Sequence, residues 1–141
     1  MPKNVLKTSL ETNFHLLGIV SNNVDYKLAW QLNEAIKINL KRVEDHSIQF
    51  RNNSYLKTSK FECSTEYRLY TLLKNKLDDA DGFVFLLPEI KNVDYLFLID
   101  DDTENLEILN VKSTLSKINN VILVHQIDIA QLKSIENLFN D

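Results

Sequence analysis

The stretch FVFLLPEIKNVDYLFLI, residues 83–99, decides how the chain is read. Two apolar runs of strand length, FVFLL and YLFLI, stand on either side of a short polar link. Neither run alternates apolar with polar, so each predicts a strand buried on both faces or central in a sheet. Pro88 has no N–H for a ladder and ends the first run. The short link predicts an antiparallel hairpin between them. What remains to be explained is why a Pro88–Glu89 pair, and then Asp94 followed by Tyr95, interrupt such apolar sequence.

Upstream, NFHLLGIVS (13–21) is apolar and bounded by polar residues, and predicts a first strand. Ser21, Asn22 and Asn23 offer a helix N-cap, with Asp25 in the first turn, where the macrodipole favours a carboxylate. Val24, Leu28, Leu32, Ala35, Ile36 and Leu40 then recur at helical steps and predict a helix with one apolar stripe. Tyr26 and Trp30 form a separate aromatic pair at i, i+4. HSIQFRNNSYLKTSKFECS (46–64) reads as extended chain with an Asn52-Asn53 turn. Around TEYRLYTLLKNK (65–76) helix and strand compete; Tyr and Thr content favours strand. DDADG (78–82) reads as a turn. Downstream, DDDTENLEILNVKSTLSKI (100–118) predicts a second helix. Asp101, Asp102 and Glu104 stand near its start, Lys112 and Lys117 toward its end, and Ile108, Val111, Leu115 and Ile118 form its stripe. NVILVHQI (120–127) predicts a last strand, and Asp128 with Gln131 resembles a capping box. Strand, helix, a meander of strands, helix and strand make an α+β sandwich of two layers, with two main helices on a mostly antiparallel sheet. A ferredoxin-like arrangement is one topology that fits.

A chain of 141 residues fits one domain, and at that size burial alone sustains a core. The formal net charge of −4, with Lys and Arg scattered, argues against a nucleic-acid partner, which asks for a basic stripe. The single cysteine, Cys63, excludes an intramolecular disulfide and points to a reducing compartment. No apolar leader or membrane-length run is present. The expectation is a cytoplasmic protein.

Three acidic groupings invite a chemical reading. Asp78, Asp79 and Asp81 precede Gly82 as in a calcium loop, but aligned on that glycine the first position is Leu77 and the twelfth Pro88, so the pattern fails. Asp100, Asp101 and Asp102 are adjacent, and on a strand adjacent side chains point to opposite faces, so they do not converge on one ion. Asp94 enters a buried strand and needs a partner: Arg68, Arg42 or N–H groups of the preceding loop. With Glu89 it makes the one carboxylate pair that invites acid–base chemistry. His15, His46 and His125 show no metal spacing, although two lie in predicted strands and are candidates to face each other across the sheet. With only Gly18 and Gly82 there is no phosphate-binding glycine loop. No metal, cofactor or catalytic residue is therefore assigned.

The segment LPEIKNVDY resembles the signature of the IPExxxVDY family, small proteins of Bacteroidota, through Pro88, Glu89, Val93, Asp94 and Tyr95, with Leu87 replacing the first isoleucine. GIVSNNVDYKLAWQLN (18–33) is similar to the family's N-terminal segment and LKSIENLF (132–139) to its C-terminal one. The resemblance implies no activity and brings no functional residues to carry over. Two readings follow. In the first the protein is a non-enzymatic interaction or ligand-sensing module. It meets a protein partner through exposed aromatics such as Tyr26, Trp30 or Tyr70, or a second copy through a sheet edge, although Trp30 reads more simply as core. The alternative is a small enzyme using Glu89 and Asp94.

Overall fold

In the computed structural model, residues 14–49, 55–79 and 82–139 are described. The elements run β1 (Phe14–Ser21), α1 (Asp25–Ile36), β2 (Lys41–Gln49), β3 (Tyr55–Ser64), β4 (Arg68–Lys74), β5 (Lys76–Asp79), β6 (Gly82–Phe85), β7 (Tyr95–Asp101), α2 (Ile108–Ser116) and β8 (Val121–Ile127). Six strands form one antiparallel sheet in the order β2-β3-β4-β7-β1-β8. The expected α+β architecture is present. Because β1 lies between β7 and β8, the β7–α2–β8 crossing is a split one, and the sheet has two strands more than a bare ferredoxin-like one.

β7 is central, as YLFLI predicts, and its first five residues are all buried. Its alternate side chains serve two cores. Tyr95, Phe97 and Ile99 join Leu17, Ile19 and Leu72 beneath Leu28, Ala29 and Leu32 of α1 and Leu115 of α2. Leu96 and Leu98 point the other way, with Leu16, Leu73 and Ile48, and are covered by Leu86, Leu87 and Val93 and by Ile135 and Leu138 of a C-terminal 3-10 turn. The sheet is thus covered by helices on one face and by loop and tail on the other. Ile108, Val111 and Ile118 pack with Leu115 as expected.

The FVFLL run behaves differently from the expectation. It is not a second central strand and does not pair with β7. Residues 82–85 pair instead with β5 in a separate two-stranded hairpin, and Phe83 is exposed. β4 occupies the place beside β7. The cause lies at Asn75, between β4 and β5, whose buried amide turns the chain out of the sheet. Its Oδ1 accepts the Leu87 N–H at 2.8 Å, while Nδ2 donates to the Ile90 and Val93 carbonyls at 2.9 and 3.0 Å. All three bonds hold the link that follows β6. The Asn52-Asn53 turn, and Ala80 and Asp81 of the DDADG turn, lie outside the described residues.

Both helices depart from the sequence reading at their starts. Ser21 and Asn23 do not cap α1. Their side chains are engaged elsewhere, and Val24 occupies the cap position without a side-chain bond. Leu40 lies beyond the helix end, tied to it by the Asn33 side chain through 2.7 and 3.2 Å bonds. α2 begins only at Ile108, so Asp101, Asp102 and Glu104 precede it. Asp101 organises that delay. Its Oδ1 accepts from the Thr103 hydroxyl at 2.6 Å and the Thr103 N–H at 3.2 Å, and its Oδ2 from the Leu106 N–H at 2.8 Å. At the other end of the chain Asp128 caps a 3-10 turn, Ile129–Gln131, by accepting the Ala130 N–H.

Candidate functional site

The 88–95 segment links the β6 hairpin to β7, and each of its distinctive residues has a visible task. Pro88 opens a 3-10 turn, Pro88–Ile90, where its missing N–H costs nothing. Glu89 is exposed on that turn, and its Oε2 accepts the N–H groups of Lys133 and Ser134 at 2.6 and 2.7 Å. Partial burial pushes its carboxyl up, but those amide bonds outweigh it and hold Glu89 below the usual range. Val93 is buried against Gly18 of β1, where a Cβ would stand 2.8 Å from Val93 Cγ1 and from Ile127 Cδ1.

Asp94 accepts the Ser21 N–H on Oδ2 at 3.0 Å, and its own N–H donates to the Ile19 carbonyl at 2.9 Å. Its carboxylate is anchored by backbone, but from the end of β1. The expected partners lie elsewhere: Arg68 pairs with Asp101 at 2.9 Å and Arg42 with Asp45. Tyr95 donates its hydroxyl to the Asn23 carbonyl at 2.5 Å. Burial, with the charges of Asp25 and Asp94, pushes that hydroxyl up to about 12, so it remains a proton donor at neutral pH.

Ser21 and Asn23 carry the connection onward. Ser21 Oγ donates to the Asn120 carbonyl at 2.8 Å and accepts the Asn23 N–H at 3.1 Å. Asn23 Nδ2 donates to Gln31 and to the Asn119 carbonyl. One polar corner therefore joins the β1–α1 turn, the start of β7 and the α2–β8 turn. Asn75, and the buried role of Asn23, were not legible in the sequence because asparagine is as common in surface turns as in buried clamps. The one available signal was the mandatory pairing of polar groups in apolar surroundings.

A cleft of about 200 Å³ beside this corner is lined by Lys74, Lys76, Phe83, Asp94 and Tyr95, among others. The Lys76 ammonium stands 4.1 Å from the centre of the Phe83 ring. The remaining acidic run is dispersed. Asp101 is buried in its ion pair, and Asp102 is exposed. Burial and the two neighbouring aspartates push the Asp100 carboxyl up. Burial would also raise Asp101, but the Thr103 hydroxyl, Arg68 and the Leu106 and Thr103 N–H groups pull it far below the usual carboxylate range. Among the described residues, no group of three or more His, Cys, Asp or Glu is placed to hold a metal.

His15 and His125 do not face each other. In the register of β1 with β7 and β8, His15 lies opposite Ile99 and His125 opposite Gly18, which puts them on opposite faces. His46 is buried, with Nε2 2.6 Å from the Asn137 carbonyl and Nδ1 without a partner among the described residues. Cys63 is half-buried and accepts the Asn39 N–H at 3.4 Å.

On the helical side the structure overturns the core reading of Trp30. It is 62% exposed, and Tyr26, one turn before it, is 70% exposed, whereas Tyr70 is buried in the sheet against Phe97 and offers no interface. They lie on the face of α1 opposite Leu28, Ala29 and Leu32. No helix among the described residues is long and apolar enough to cross a membrane. No family model and no curated protein matches this chain.

Proposed function

We propose that this protein is a non-enzymatic interaction module of the cytoplasm, of the IPExxxVDY type, and that it docks a protein partner through Tyr26 and Trp30 of α1. The exposure of this aromatic pair on an otherwise polar helix face carries the reading. Large aromatics at one helical step are the residue types that dominate interface energetics, and they leave water only when a partner covers them. The alternative, an enzyme using Glu89 and Asp94, draws less support, because both carboxylates are held by backbone N–H groups. Each has a sufficient structural task.

The test is affinity capture from extract with the tagged chain, alongside Tyr26→Ala and Trp30→Ala variants whose circular dichroism matches the parent. A stoichiometric partner is expected. Loss of either aromatic should weaken its binding by about 2 kcal/mol, some ~30-fold. A partner that binds both variants as it binds the parent sinks the assignment of the surface. Absence of any stoichiometric partner sinks the function.

A further inference from the structure

Among the described residues the sheet ends at β2 on one side and at β8 on the other, and the two edges are built differently. β2 reads KRVEDHSIQ. Lys41, Arg42, Glu44 and Asp45 are exposed on it, and its register against β3 shifts between Val43 and His46. Charge and a bulge are two devices that stop an edge from accepting another strand. β8 reads VILVHQI and contains no Asp, Glu, Lys, Arg or Pro. Its irregularity falls at its first residues, opposite Val20 and Ser21, and leaves 123–127 regularly paired to β1. Ile122 is 63% and Leu123 47% exposed.

We propose that β8 pairs antiparallel with β8 of a second copy of this chain, across a two-fold axis, so that two six-stranded sheets become one. The chemistry of the edge selects this occupant. A row of N–H and C=O groups is satisfied by an extended strand, and among the described residues β8 is the edge that carries neither charge nor a central bulge. Self-pairing of β8 sets no like charges opposite each other, since the strand carries no carboxylate, ammonium or guanidinium. Pairing β8 with β2 would instead meet a bulged, charged strand, in a head-to-tail contact that does not close at two copies. The two-fold arrangement closes at two copies and leaves both charged β2 edges outward. The seam does not use Tyr26 or Trp30, so it stands independently of the docking face on α1.

The experiment is light scattering on the full chain over a dilution series, for the parent, Leu123→Lys and Gln126→Lys. The parent is expected at twice the 16.4 kDa chain mass. Both lysine variants should show half the parent's mass with unchanged circular dichroism. Gln126 is already exposed and polar, so its variant keeps the test valid if Leu123→Lys fails to fold. A parent that stays at one chain mass at every concentration overturns the proposal, including the case in which it captures a foreign strand through β8. So does a dimer that survives both lysines but is dissolved by Trp30→Ala, a result that would place self-association on α1.

Discussion

Gly18 and Val93 show how closely the 88–95 segment is fitted to β1. A Cβ on residue 18 would stand 2.8 Å from Val93 Cγ1, closer than carbon atoms pack, and both neighbours are held in the sheet-facing core. Gly18→Ala should therefore cost about 1–3 kcal/mol in urea denaturation. Added to Val93→Ala it should cost clearly less, because the removed methyl groups leave room for the new one. Additive costs would show that the two residues do not share this contact. Asp94 was legible in part. A carboxylate at the mouth of an apolar strand needs a partner, which the residue types alone establish. The identity of that partner was not legible. Ser21 lies 73 residues away, and an N–H group, which every non-proline residue carries, leaves no mark in sequence.

At the level of elements, of two apolar runs of equal length only YLFLI took the central place its composition predicts. β1, α1, β7 and β8 fall where hydrophobic pattern places them, and β4 where Tyr and Thr content does. FVFLL does not, because an apolar run of this length fits a central strand, a hairpin arm or a buried link equally well. Its fate is decided by Asn75, fully buried with three hydrogen bonds to the link. Asn75→Ala removes three buried bonds, stranding the Leu87 N–H and the Val93 carbonyl and leaving the Ile90 carbonyl only the Val93 N–H at 3.5 Å, and should cost about 3 kcal/mol. Amide exchange should rise first in β5 and β6. Unchanged exchange there would mean that the hairpin holds itself in place. The start of α2 was displaced for a related reason. The acidic run suits a helix N-terminus, yet Asp101 is drawn into the ion pair with Arg68.

That pair gives the whole molecule a pH dependence. Asp101 and Glu89 both have carboxyls held below their unfolded values of roughly 4. A depressed folded pKa means that the unfolded chain binds the proton more readily. The stabilisation is complete above about pH 4–5 and is lost as pH falls through the folded values. Asp101→Asn should lower stability at neutral pH and flatten the acid limb of the stability curve; an acid limb as steep as the parent's would contradict the assignment. His46 acts in the same direction at milder pH. Burial lowers its pKa, opposed by the bond to the Asn137 carbonyl and assisted by the charge of Lys60. Stability should therefore decline as pH drops below about 6.5, and His46→Gln should remove that decline. A slope that persists in the variant would place it on another group.

The 88–95 segment fastens the fold: Glu89 holds the C-terminal segment, Val93 packs on Gly18, Asp94 grips the end of β1 and Tyr95 the turn into α1. The most direct test is the unfolding free energy of Asp94→Asn in urea at neutral pH. Asparagine keeps the shape and removes the charge that strengthens the bond to the Ser21 N–H. The expected result is a loss of more than about 1 kcal/mol with an unchanged urea slope. Stability equal to the parent's would contradict the anchor and return Asp94 to the list of groups kept for chemistry.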